Sequence, residues 1–167
     1  ETVKKVVDIQ KHVLTDGQLH CLAFRTRIPE NQRPIVCNFE HLETQTTDGK
    51  TTVSVPMEYN GDSKVLIGEV SAGGTVSAFA TALNNMFVRD IDIDSRYRIM
   101  VAPESDDHEG VTREVMADAQ ISVNGNGQEA EHFTTFAFDD DQDVAGCKAL
   151  LMGVNEWLVD RRNTMLK

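Results

Sequence analysis

Few groupings in this 167-residue chain have the residue types and spacing that chemistry needs. Gly68-Glu69-Val70-Ser71-Ala72-Gly73-Gly74-Thr75 has the glycine spacing of a phosphate loop and lies between a strand pattern and a helix pattern. The ammonium that should reach the phosphates is missing, because Gly74 stands in its place and Glu69 adds repulsion. The segment therefore reads as a strand-to-helix turn. Asp90-x-Asp92-x-Asp94 invites a calcium reading, but Ser95 replaces the turn glycine and Val101 the bidentate glutamate. Alternating acids on the wet face of a strand, or charges guarding a sheet edge, explain the same pattern.

Asp106-Asp107-His108-Glu109 is the densest collection of acid-base or ligand groups, within an acidic loop from Ser105 to Gly110. Carboxylates and imidazoles move protons efficiently when burial tunes them, and nothing in the local sequence predicts burial here. If the chain holds a small-molecule or catalytic site, Asp92, Asp106 and His108 are its candidates. The five histidines are dispersed, without a short zinc spacing. Cys21, Cys37 and Cys147 are widely separated among apolar neighbours, which reads as buried thiols in a reducing compartment. The sequence thus calls for no metal, no cofactor and no catalytic residue.

The elements that would position such groups follow from patterning. Three pairs, Asp16-Gly17, Asp48-Gly49 and Asn60-Gly61, each separate two β-favouring runs, so residues 3 to 70 are expected to form a meander. Its strands run roughly over Val3 to Leu14, Leu19 to Ile28, Ile35 to Thr46, Thr51 to Glu58 and Lys64 to Val70. Pro29 and Pro34 bracket a loop. After Ser71-Ala72-Gly73-Gly74, Thr75 or Ser77 is placed to cap a helix carrying Val76, Phe79, Ala80, Leu83 and Phe87. Strand patterns return at Ile91 to Asp94 and at Tyr97 to Ala102. A further hairpin joins Val111 to Val123 and Glu129 to Phe138 through Asn124-Gly125-Asn126-Gly127. The final segment is an amphipathic helix with Val144, Cys147, Leu151, Val154 and Leu158 in one stripe. Acids at its start and Arg161, Arg162 and Lys167 at its end match the helix dipole. The predicted class is α+β: mainly antiparallel sheet built from hairpins, one internal helix and a C-terminal packing helix, in a single domain over 1–167. No internal repeat is visible.

Charge limits the partners. Twenty-seven acidic against 16 basic residues leave −11 at pH 7, the wrong sign for holding phosphates. Nucleic acid is expected only through a local basic face, from Lys4-Lys5-Lys11, Arg25-Arg27-Arg33 or Arg161-Arg162-Lys167. No apolar run is long enough to span a membrane, which predicts a soluble chain. It starts at Glu1, which processing, trimming or numbering would each explain.

Arg113 to Val123, a polar turn, and Phe133-Thr134-Thr135-Phe136-Ala137-Phe138 resemble the late hairpin of bacteriophage tail-tube subunits. Tyr97-Arg98-Ile99-Met100-Val101, then Val111-Thr112-Arg113, with Phe136-Ala137-Phe138 running into a last helix, resemble small RNA-phage coat proteins. These resemblances imply a virion or cytoplasmic assembly subunit whose partners are copies of itself, non-enzymatic and built into rings or shells. The helix stripe at Val144, Cys147, Leu151, Val154 and Leu158 would then close the sheet or clasp a neighbour. A small-molecule-binding domain or enzyme with an acidic site is the alternative, and an acidic inhibitor imitating nucleic acid is a third reading.

Overall fold

The structure is a computed structural model that describes residues 2–10, 14–87, 91–101, 115–125 and 129–165. Helices α1 (Thr2–Gln10) and α2 (Asp16–Arg27) lead into strand β1 (Ile35–Cys37) through a 3-10 turn at Glu30–Gln32. A second 3-10 turn at Phe39–His41 precedes β2 (Glu43–Thr47), β3 (Lys50–Tyr59), β4 (Asp62–Ser71) and α3 (Thr75–Met86). Strands β5 (Ile91–Val101), β6 (Val115–Gly125) and β7 (Glu131–Asp139) follow, and α4 (Gln142–Met165) ends the chain. The α+β class expected from the sequence is therefore present: two antiparallel sheets, an internal helix and a long C-terminal helix.

The predicted meander is wrong at its start, where α1 and α2 replace two strands. Thr15 and Gln18 form a reciprocal capping box, the Thr15 hydroxyl accepting from the Gln18 amide at 3.2 Å and the Thr15 amide donating to Gln18 Oε1 at 3.1 Å. That box overrides the hairpin signal of Asp16-Gly17. Gly17 instead lets α2 approach β7, since a Cβ there would lie 2.5 Å from Thr134 Cβ. Cys21 and Phe24, three residues apart, are buried on one helical face.

The other two turn pairs are hairpins. Asp48 and Gly49, then Asn60 and Gly61, all have positive φ, the geometry that continues the twist of antiparallel strands through a two-residue loop. Strand β3 is the centre of the first sheet, with β4 along one side and β1 and β2 in succession along the other. Pro56 sits where β1 gives way to β2, and its carbonyl accepts from the Asn38 amide at 2.8 Å. Its missing N–H thus interrupts no ladder. The second sheet is ordered β5-β6-β7. A repeat invisible in the sequence emerges: β2-β3-β4-α3 and β5-β6-β7-α4 are two successive βββα units.

Helix α4 is buried on nearly every side from Ala145 to Trp157. A helix apolar all round belongs inside a core, and α4 packs on β6, β7 and α3. Close approach is made with glycine. Gly146 faces Val76 of α3, and Gly153 lies directly beneath Ile121 of β6. The outer face of the second sheet is covered by α1 and α2 through Val6, Cys21 and Phe24 against Met116 and Phe136.

Candidate functional site

The turn from β4 into α3 leaves a helix start without a side-chain cap. Ala72 adopts a left-handed φ of 59° and donates its amide to the Gly49 carbonyl at 3.0 Å. Thr51 Oγ1 donates to the Gly73 carbonyl at 2.6 Å, fixing the glycine pair against the first sheet. Gly74 is the N-cap, in extended conformation, and carries no side chain to bond the first-turn amides. The sequence placed the cap at Thr75 or Ser77; Thr75 is instead the first helical residue, buried, with the Thr44 hydroxyl 3.4 Å from its own. Among the described residues nothing stands within 4 Å of where a Gly74 Cβ would be.

The leading N–H groups of a helix have no intrahelical partner, so Ser, Thr, Asp or Asn normally occupies that cap. Such a residue would fit at Gly74. The equivalent start of α4 is closed in the usual way, since the Asp141 carboxylate accepts from the Asp143 amide at 2.7 Å and the Val144 amide at 3.2 Å. The α3 start therefore offers uncapped amides and the positive end of a helix dipole beside threonine hydroxyls, with Val70 half-buried against Gly73. That arrangement suits a small carboxylate.

A cleft of about 120 Å³ lies between β1 and the β7-α4 turn, and several of its polar groups are already used. The Asn155 side chain accepts from the Ile35 amide and donates to the Ile35 carbonyl, both at 2.8 Å. Lys148 donates to Asp139 at 2.6 Å, and Arg25 to the Phe136 carbonyl at 3.1 Å. Burial alone would raise the Asp139 carboxyl; the Lys148 bond and the amides of Asp141 and Asp140 outweigh it and hold it below the ordinary range. Arg33 Nε is buried without a partner, and burial lowers that guanidinium's affinity for its proton against the pull of Glu30.

The predicted site residues are scattered. Asp106 and His108 lie outside the described residues, and Asp92 pairs with Asn124 in the β5-β6 ladder. Cys147, Leu151 and Val154 are buried in the chain's own core, with Leu158 packed against it and Val144 half-buried. Burial pushes the Cys21 thiol up to about 11 and Cys37 up to about 12, and raises Cys147 as well. Basic residues serve packing: Lys5 and Arg25 lie over Phe138 and Phe136, and Arg161 over Trp157. Among the described residues no three His, Cys, Asp or Glu side chains gather as a metal site, and no helix is long and apolar enough to cross a membrane. Sequence reasoning missed Glu156, which is buried on α4 with Oε2 unpartnered; burial, then Asp160, pushes its carboxyl up to about 7. It read Gly74 as the place of a missing phosphate-loop lysine, not as a glycine where a capping side chain belongs.

No curated protein matches the chain. A family model described as the LeuA allosteric (dimerisation) domain matches residues 13–158, from just before α2 into the last turns of α4. This overturns the bacteriophage reading, both as tail-tube subunit and as coat protein, and with it the virion setting and the role as a purely structural assembly unit. The late hairpin and last helix that suggested virion proteins are the second βββα unit, an arrangement of common residue types that does not require a shell. Self-association, expected from the sequence, agrees with a dimerisation family, and the small-molecule-binding alternative is the better supported of the two function classes. With nearly nine-tenths of its length matched, the chain belongs to the LeuA allosteric (dimerisation) domain family.

Proposed function

We propose that this chain is the regulatory module of a 2-isopropylmalate synthase: it binds leucine as feedback inhibitor and joins two copies together. The observation that carries this is the family match across both βββα units. The open start of α3 supports it chemically. Leucine presents a carboxylate, which the uncapped amides of Thr75, Val76 and Ser77 would receive. Helix α3 sits against β4 through Gly68, where a Cβ would lie 2.6 Å from Ala82 Cβ, and against α4 through Val76 and Gly146. A ligand that orders the α3 start thus bears on both units at once. A cytoplasmic setting follows from the same reading.

Calorimetric titration of leucine into the chain tests this, with Gly74→Asp as the comparison. The Gly74 backbone, φ −97° and ψ −173°, accepts aspartate, and the added side chain meets open space. Its carboxylate would take the amides intended for the ligand, leaving the fold intact while weakening leucine binding at least about tenfold, equal to about 1.4 kcal/mol. No heat from leucine with the unaltered chain refutes the function. Unchanged binding by G74D refutes the site.

A further inference from the structure

We infer that the second copy docks on the free edge of β4, its own β4 running antiparallel across a two-fold axis at Leu66. This rests on the dimerisation reading and goes beyond it by naming the surface. Sheet edges are sticky, and folded chains blunt them with charge, proline, bulges, shortness or cover. The other edges here are blunted. Strand β2 has five residues, all exposed and none apolar. Strand β5 carries Asp94, Arg96 and Arg98 at alternate positions, and β7 lies under α2 and α4.

Strand β4 has none of these defences along its middle. It runs ten residues in unbroken register with β3, from Lys50 opposite Ser71 to Tyr59 opposite Asp62, and has no other strand partner among the described residues. Val65 and Ile67 are each 59% exposed on its outward face. The outward face of the second sheet is covered by α1 and α2, whereas the first sheet has no comparable cover among the described elements. An apolar, regular edge kept open in a dimerising chain is a pairing surface.

Symmetry then selects the register. A two-fold axis perpendicular to the sheet leaves every side chain on its own face, so residues directly opposite must differ by an even number. Centring at Leu66 sets Val65 of each copy against Ile67 of the other, joining the exposed apolar positions twice. The interface also touches the ligand route, because Gly68 is the residue of β4 that α3 packs upon.

Sedimentation equilibrium of the whole 167-residue chain, beside two charge variants, is the test. The unaltered chain should sediment at twice 18.6 kDa. V65K/I67K alters only exposed positions and should keep the circular dichroism of the parent while falling to the single-chain mass at the same concentration. Leu19→Lys, at a 48% exposed apolar residue on α2, should remain paired. A V65C/I67C variant should form disulfides between copies under mild oxidation, the directly opposite pair closing from about 4.5–5.5 Å at Cβ to the roughly 3.5–4.5 Å a disulfide needs, and neither single cysteine should, its twin lying about 7–8 Å away. A single-chain mass for the unaltered protein overturns the dimerisation reading along with this surface. A paired parent with a paired V65K/I67K overturns the surface alone, and absence of the V65C/I67C cross-link in a paired chain overturns the register.

Discussion

Replacing Asn155 by alanine should be among the most damaging single changes to this fold. Its side-chain amide acts as the missing neighbour of β1, accepting from the Ile35 amide and donating to the Ile35 carbonyl at 2.8 Å each, across 120 residues of chain. Ile35 is 1% exposed and Asn155 is equally buried, so both Ile35 groups would lose their partner where little water reaches. Leaving a buried polar group unsatisfied costs about 1–3 kcal/mol, so two backbone groups together should cost about 2–6 kcal/mol. For a chain of this size that lowers the melting temperature by about 4–24 °C. Asn155→Asp keeps the acceptor, loses the donor and sets a carboxylate against the Ile35 carbonyl, so it should be no better than alanine at pH 7. Thr135→Val supplies the contrast. The Thr135 hydroxyl donates to the Ala149 carbonyl at 2.6 Å, but that carbonyl also belongs to the α4 ladder, so the loss should be only about 1 kcal/mol. Urea unfolding of the three variants measures the costs. A loss below about 1 kcal/mol for N155A, or one no larger than that for T135V, would refute the reasoning that this amide ties the first unit to α4.

Glu156→Gln should flatten part of the pH dependence of stability. A carboxyl raised to about 7 when folded holds its proton more tightly than in the unfolded chain, so its contribution is complete below the ordinary range near 4.5 and is lost as pH rises through 7. After allowance for solvent screening the difference is about 1–2 kcal/mol, and the glutamine variant should be the more stable protein at pH 8 and lack that slope. Unfolding curves at pH 5 and 8 measure this; parallel behaviour of the two proteins would remove the buried carboxyl as its source. Gly68→Ala should destabilise by about 1–3 kcal/mol, because the new methyl meets the Ala78 backbone carbonyl, which cannot rotate away. Denaturant titration reads this, and a change under about 0.5 kcal/mol would deny the close contact of α3 with β4. All three thiols should resist alkylation in the native protein and react together on unfolding; rapid native labelling of any one would contradict its burial.

The fold was legible where local chemistry and tertiary packing agree. Asp48-Gly49 and Asn60-Gly61 prescribe positive φ at consecutive residues, and α3 and α4 announce themselves by their apolar spacing. Asp16-Gly17 shows the limit, since the same residue pair opens a helix when a capping box precedes it. The two βββα units leave no trace in sequence because their likeness lies in strand order, while their contents differ: β5 is charged at alternate positions and β4 is apolar in its middle. The candidate site was legible only by what it lacks. The loop at Gly68 to Thr75 was recognised as a strand-to-helix turn, yet the meaning of an empty cap depends on Gly74 facing open space, which only packing reveals. Glu156 was hidden for a related reason, because a glutamate in an amphipathic pattern is expected on the wet side and α4 has almost none between Ala145 and Trp157.

Native mass spectrometry of the chain sprayed with leucine tests the central claim most directly, because one spectrum reports both ligand and partner. The account predicts a two-chain species that retains leucine, and more of that species with leucine than without it. A single-chain species that retains no leucine at millimolar concentration would contradict it.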